Sequence, residues 1–104
     1  MDRLFAYGTL MDEGLVRDLV GRVPRSQPAL LRGFRNERHP TAPYATAEMD
    51  PSESIPGTLY EGLGVDELER IDLYEELPRR LYKRIVVTVE IGAWRADAWV
   101  YLKA

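Results

Sequence analysis

The spacing of apolar positions changes several times along this 104-residue chain, and each change predicts an element. Leu4, Phe5, Ala6 and Tyr7 form an unbroken apolar run, short enough for a buried strand, which the Gly8-Thr9 turn closes. From Met11, Asp12 and Glu13 the spacing becomes helical: Asp12 suits the N-cap, Leu15, Val16 and Leu19 share one face, and Gly21 suits the stop. Residues 24–28, bounded by Pro24 and Pro28, read as a connector. Residues 29–35 read as a strand with Gly33 at a bulge or close approach. The pairs His39-Pro40 and Ala42-Pro43 make 36–43 a loop held extended before each proline. A brief strand follows over 44–48, and 50–54 reads as a turn.

In the second half, 55–63 is a strand whose first residues Pro56 should keep at a sheet edge. Asp66 with Glu69 three positions on resembles a capping box, so a second helix begins near Asp66, and Pro78 ends it. Residues 81–91 carry the strongest strand signal, rich in β-branched side chains, and Gly92 turns the chain back into an alternating strand over 94–102. Five or six strands and two helices without regular βαβ alternation predict an α+β fold, a largely antiparallel sheet open to closure as a barrel.

One residue disturbs the pattern. At 100° per residue, Glu75 projects between Leu68 and Ile71, which puts a carboxylate on the stripe that should face the core. Such a group must find partners, change its pKa or border a cavity. Two readings follow: a general base with a raised pKa, or a structural ion pair with Arg79 or Arg84. The strand, Gly-Thr turn and helix start near Gly8 likewise suit an anion held by free backbone N–H groups, although any tight turn needs a glycine.

Composition narrows the function classes. A chain that is 45% hydrophobic and 30% charged is ordinary for a globular protein, and its length suits a single domain over 1–104. With 14 Lys and Arg against 17 Asp and Glu, net −3, the overall field does not favour nucleic acid. Without cysteine there is no disulfide, thiolate catalysis or Cys-ligated metal, and one histidine, His39, makes a His-rich metal site or a Ser-His-Asp triad a poor reading. His39 beside a proline in a loop is more often exposed than a ligand contact. No apolar run approaches the roughly 20 residues that span a bilayer, and the first residues lack a signal peptide's apolar region. The expectation is a cytoplasmic protein with no membrane partner.

Phe5-Ala6-Tyr7-Gly8-Thr9-Leu10, Ile55-Pro56-Gly57-Thr58-Leu59-Tyr60, Ile71-Asp72-Leu73-Tyr74-Glu75 followed by Tyr82-Lys83-Arg84, and a final Tyr101 occur in an order and spacing that resemble the gamma-glutamylcyclotransferase-like family. That group includes gamma-glutamylamine cyclotransferase and the plant avirulence-induced proteins. The resemblance implies a small mixed, mostly antiparallel β-barrel with two flanking helices and a pocket between the Tyr-Gly-Thr-Leu turn and the acid-bearing helix. It places the catalytic glutamate on Glu75 and the substrate-cradling loop on Tyr7, Gly8, Thr9 and Leu10. A tyrosine and an arginine at the start of the following strand fall on Tyr82 and Arg84. Two positions depart from the pattern: Glu76 stands where the family usually has glycine, and His39-Pro40 where it has Tyr-Pro.

The implied reaction is cyclisation of a small gamma-glutamyl compound to 5-oxoproline with release of an amine or amino acid. Nucleophile and electrophile share one molecule, so the protein has to hold the reactive rotamer, move protons and stabilise an oxyanion. No metal or organic cofactor is required. The alternative is a non-catalytic binding or interaction domain that keeps the fold and pocket, and Glu76 is the feature that counts for it.

Overall fold

The first strand, β1 (Asp2–Ala6), is the one on which the sheet closes. In the computed structural model, which describes residues 2–38, 45–75 and 82–103, the elements that follow are a 3-10 turn (Thr9–Met11), α1 (Glu13–Val20), β2 (Arg25–Arg38), β3 (Ala45–Leu63), α2 (Val65–Tyr74), β4 (Tyr82–Ile91) and β5 (Trp94–Lys103). The strands form a closed barrel in the order β1-β3-β2-β4-β5. Every pairing is antiparallel except the last, where Leu4 of β1 lies parallel to Trp99 of β5. The expected α+β barrel with two helices is the fold observed.

Side-chain alternation explains why several strands are apolar on both faces. Phe5, Leu59, Val89 and Val100 belong to one buried cluster. Their neighbours Leu4, Tyr60 and Tyr101 point the other way and pack with Val16 and Val20 of α1 and Leu68 and Ile71 of α2. Strand side chains point alternately to opposite faces, so the helices cover the face of β1, β3 and β5 opposite the first cluster. At about 1.5–3 kcal/mol for each large apolar side chain buried, this double use of each strand gives a small chain two apolar layers. Gly57 sits where the strands come closest: a Cβ there would lie 2.4 Å from the Ala6 carbonyl oxygen and 2.7 Å from the Phe5 ring.

Local signals account for most boundaries. Asp12 caps α1, accepting from the Gly14 N–H at 2.9 Å, and Gly21 ends the helix with φ 87°. Gly33, at φ 83°, sits where the β2–β3 register slips between Arg32 and Phe34. A left-handed backbone in mid-strand suits glycine, and this is the expected bulge.

Several boundaries differ from expectation, among them the loop expected over 36–43, whose first residues, 36–38, instead continue β2 opposite Ala47, Thr46 and Ala45. Residues 25–28 open β2 instead of forming a connector, pairing from Arg25 opposite Glu61 to Pro28 opposite Thr58. The segment 50–54 lies inside β3, yet it turns locally: the ladder jumps from Met49 to Ser54, and Asp50 accepts from the Ser52 N–H and hydroxyl at 3.1 and 2.7 Å. Helix α2 starts after Gly64, and the acid that returns to the Gly64 N–H is Glu67 at 3.0 Å, not Glu69. Arg22 clamps that same Glu67 through two hydrogen bonds of 2.7 and 2.8 Å and also donates to the Gly62 carbonyl, tying the end of α1 to the start of α2. Pro56 is exposed and precedes Thr58, the first residue of β3 paired with β1 on this side, so its missing N–H leaves no gap in that ladder.

His39, Pro40, Glu76, Pro78, Arg79 and Arg80 lie outside the described residues. Among the described residues, no helix is long and apolar enough to cross a membrane.

Candidate functional site

The segment after β1 is held at three points. Tyr7 is buried and donates its hydroxyl to the Tyr101 carbonyl at 2.7 Å. Leu10 puts its side chain into the core, and its carbonyl accepts from the Tyr60 hydroxyl at 2.7 Å. Thr9, more exposed, shares a 2.8 Å hydrogen bond with the Tyr74 hydroxyl at the end of α2. The loop and the helix end that the sequence links only by analogy are therefore neighbours. In the 3-10 turn the Met11 N–H reaches the Gly8 carbonyl at 3.0 Å. The N–H groups of Thr9 and Leu10, at the start of the turn, have no partner within it.

Glu75 follows the last helical residue. Its N–H still bonds to the Ile71 carbonyl at 2.9 Å, with φ −78° and ψ 4°, so it is the C-cap of α2. The expected helix running on to Pro78 stops four residues short at Tyr74. The side chain is half-buried, and burial pushes its carboxyl from 4.5 up to about 7. Among the described residues no ion pair reaches it. Arg84, offered above as its structural partner, goes elsewhere: its Nη1 lies 3.5 Å from Asp72 Oδ1.

Asp72, one helical turn before Glu75, is a hub that the sequence reading did not pick out. The Tyr101 hydroxyl donates to Asp72 Oδ1 at 2.5 Å, and the Arg84 guanidinium stacks 4.5 Å above the centre of the Trp99 ring. Arg84 and Tyr101 face each other across the β4–β5 hairpin, so one carboxylate at 15% exposure answers both strands. Burial raises the Tyr101 hydroxyl well above the ordinary tyrosine range; the hydrogen bond and charge of Asp72 and the charge of Glu75 add to this, and Arg84 opposes it. Trp99 in turn donates to Asp2 at 3.3 Å. Helical periodicity puts Asp72 and Glu75 on one helix, but only the β4–β5 register brings Arg84 and Tyr101 together at Asp72.

The expected site residues thus fall into distinct positions. Thr9 of the Gly8–Leu10 segment is tied to Tyr74, the residue before Glu75. Arg84 stands on the adjoining strand, and Tyr7 supports the arrangement through Tyr101. Tyr82 opens β4 opposite Lys103, and its side chain lies outside what the structure describes. A half-buried carboxyl held near neutrality, on the helix end that Thr9 ties to the opening loop through Tyr74, has the proton affinity that acid–base chemistry uses.

Residues 4–104 match the family model for gamma-glutamyl cyclotransferase, AIG2-like proteins. The chain belongs to this family. Within the cyclotransferase, AIG2-like group, AIG2-like protein C of Arabidopsis thaliana is 34% identical over 74 residues, covering 71% of this chain and 43% of that protein. The chain therefore spans less than half the length of that relative. The solution structure of an Arabidopsis thaliana protein superposes with a TM-score of 0.86 at 24% identity, over 98% of this chain and 68% of the other. A structure of a gamma-glutamyl cyclotransferase superposes with a TM-score of 0.82 at 17% identity, over 99% of this chain and 66% of that one. At such identities the superpositions establish the barrel, and the cyclotransferase-like relationship rests on the family match.

Proposed function

We propose that this protein is a cofactor-independent gamma-glutamylcyclotransferase-like enzyme that closes a small gamma-glutamyl compound to 5-oxoproline, with Glu75 as general base and acid. The observation that carries the reading is a half-buried carboxyl raised to about 7 on the helix end that Thr9 joins to the opening loop. Family membership supports the reaction class.

In the proposed reaction the Glu75 carboxylate removes one proton from the substrate α-ammonium, leaving a free amine. That nitrogen attacks the γ-carbonyl carbon, a new carbon–nitrogen bond closes the five-membered ring, and the carbonyl oxygen becomes an oxyanion. Glu75 then gives its proton to the original amide nitrogen as that carbon–nitrogen bond breaks and the carbonyl re-forms. The ring nitrogen releases its second proton to solvent, where the free amine takes one up. Backbone N–H groups of Thr9 and Leu10 hold the oxyanion or the substrate carboxylate, Gly8 lets that carboxylate approach the chain, and Arg84 adds a positive pole. Tyr7 holds the loop, and Tyr82 stands at the start of the strand that carries Arg84. A carboxyl titrating near neutrality suits both proton transfers, because neither form is far from the working pH.

The test is incubation with a panel of gamma-glutamyl amines and amino acids, with detection of 5-oxoproline and Glu75→Gln as control. Turnover abolished in the variant is the expected result, and turnover that survives removes Glu75 from the mechanism. The second reading, a binding domain without turnover, has Glu76 in its favour. It is chosen if ligands bind and none is converted.

A further inference from the structure

Hydrogen-bond polarity at Tyr101 carries an inference that deepens this reading and rests on it. A phenol has one proton to donate and lone pairs to accept with. A carboxylate can only accept, so the 2.5 Å contact to Asp72 Oδ1 uses the tyrosine proton. Arg84 Nη1 approaches that same oxygen to 3.5 Å, so the oxygen faces donors from both strands. What Tyr101 has left for a ligand is a lone pair, on an oxygen made more basic by its short bond to an anion. It therefore cannot serve as an oxyanion donor without breaking that bond.

The surroundings suit a cation donor. Glu75 lies one turn beyond Asp72 on the same helix end, and its charge is felt at the Tyr101 hydroxyl. The opposing charge, Arg84, is partly answered by Asp72 and lies face-on to Trp99. Tyr7 occupies the Tyr101 carbonyl rather than its hydroxyl. We infer that Tyr101 is a binding residue for the ligand's cationic amino group, accepting an N–H beside Glu75, and that Asp72 is the positioning residue that keeps the hydroxyl turned this way.

The experiment compares two ligands and two variants in a Glu75→Gln background, where the proposed mechanism expects no conversion. Calorimetry measures binding of a gamma-glutamyl alkylamide and of the glutaric acid monoamide that differs from it only by lacking the α-amino group. The parent should prefer the amino-bearing ligand. Tyr101→Phe should erase about tenfold or more of that preference, the size of a hydrogen bond to a charged group, with the monoamide unaffected. Asp72→Asn should do the same, because its amide can donate to the phenol oxygen and release the tyrosine proton toward the ligand. A preference that persists in either variant, or an equal loss on both ligands, overturns the inference while leaving the gamma-glutamyl reading in place.

If the folded parent binds neither ligand, the gamma-glutamyl reading falls and a second measurement decides the inference. With Tyr101 labelled at Cζ in the wild-type protein, propylammonium should shift its carbon resonance and propionate should not. No shift with propylammonium, or an equal shift with propionate, overturns it.

Discussion

Glu75→Gln should make the protein more stable at alkaline pH and leave it unchanged in acid. The native carboxyl titrates at about 7 against an ordinary 4.5, so the folded state binds its proton more tightly than the unfolded chain does. Below pH 4.5 both states hold the proton and the carboxyl behaves as a neutral group, much as glutamine would. Between 4.5 and 7 the unfolded chain ionises first, and stability falls as pH rises. Above 7 both states are charged and the loss is complete. At about 1.4 kcal/mol per pH unit, moving from 4.5 to about 7 corresponds to about 3 kcal/mol. For a domain near 100 residues that is on the order of 12–24 °C in melting temperature. Urea denaturation of both proteins at pH 4, 6 and 9 gives the assay. The gap should be near zero at pH 4, intermediate at pH 6 and close to its ceiling at pH 9. A gap independent of pH, or one that opens toward acid, refutes the claim that Glu75 is held in a poorly solvated place. A carbon-detected titration of the Glu75 carboxyl should show a midpoint near 7.

Gly57→Ala should destabilise the barrel by about 1–3 kcal/mol in chemical denaturation, because the added methyl meets the Ala6 carbonyl and the Phe5 ring at the β1–β3 contact. Asp12→Ala should cost about 1 kcal/mol by the same assay, since two N–H groups at the start of α1 lose their acceptor. Tyr74→Phe should cost about 0.5–1.5 kcal/mol and speed amide hydrogen exchange over Thr9, Leu10 and Met11, because it removes the tie from Thr9 to α2. Unchanged exchange there would show that Leu10 and Tyr60 suffice to hold the loop.

What the sequence made legible follows from how local each signal is. Asp12, Gly21 and Gly33 act within a few residues of themselves, and each stands where reading alone placed it. The 100° rotation correctly separated Glu75 from a solvated face. It could not say that the helix ends one residue earlier, because that depends on what the last turn packs against. Pro28 suggested a connector, yet a barrel strand tolerates a proline where one side carries no ladder; the β2–β4 pairing described here is at Leu30 and Glu90, beyond it. The turn signals over 50–54 were right about Asp50 and Ser52 and wrong about scale, since a local kink can sit inside a long ladder. Asp72 was unreadable for a different reason. Its partners Arg84 and Tyr101 become neighbours only through a strand register that no local pattern encodes.

The loop beside Glu75 is not a free-standing flap. Leu10 contributes a side chain to the cluster beneath α1 and α2, while its carbonyl is held by the fully buried Tyr60. Anything that grips this loop therefore grips the scaffold, and occupancy should appear as heat resistance of the whole molecule, by about 2.7 kcal/mol at a hundredfold excess over Kd. Candidate compounds can accordingly be ranked by melting alone, before any product has been looked for.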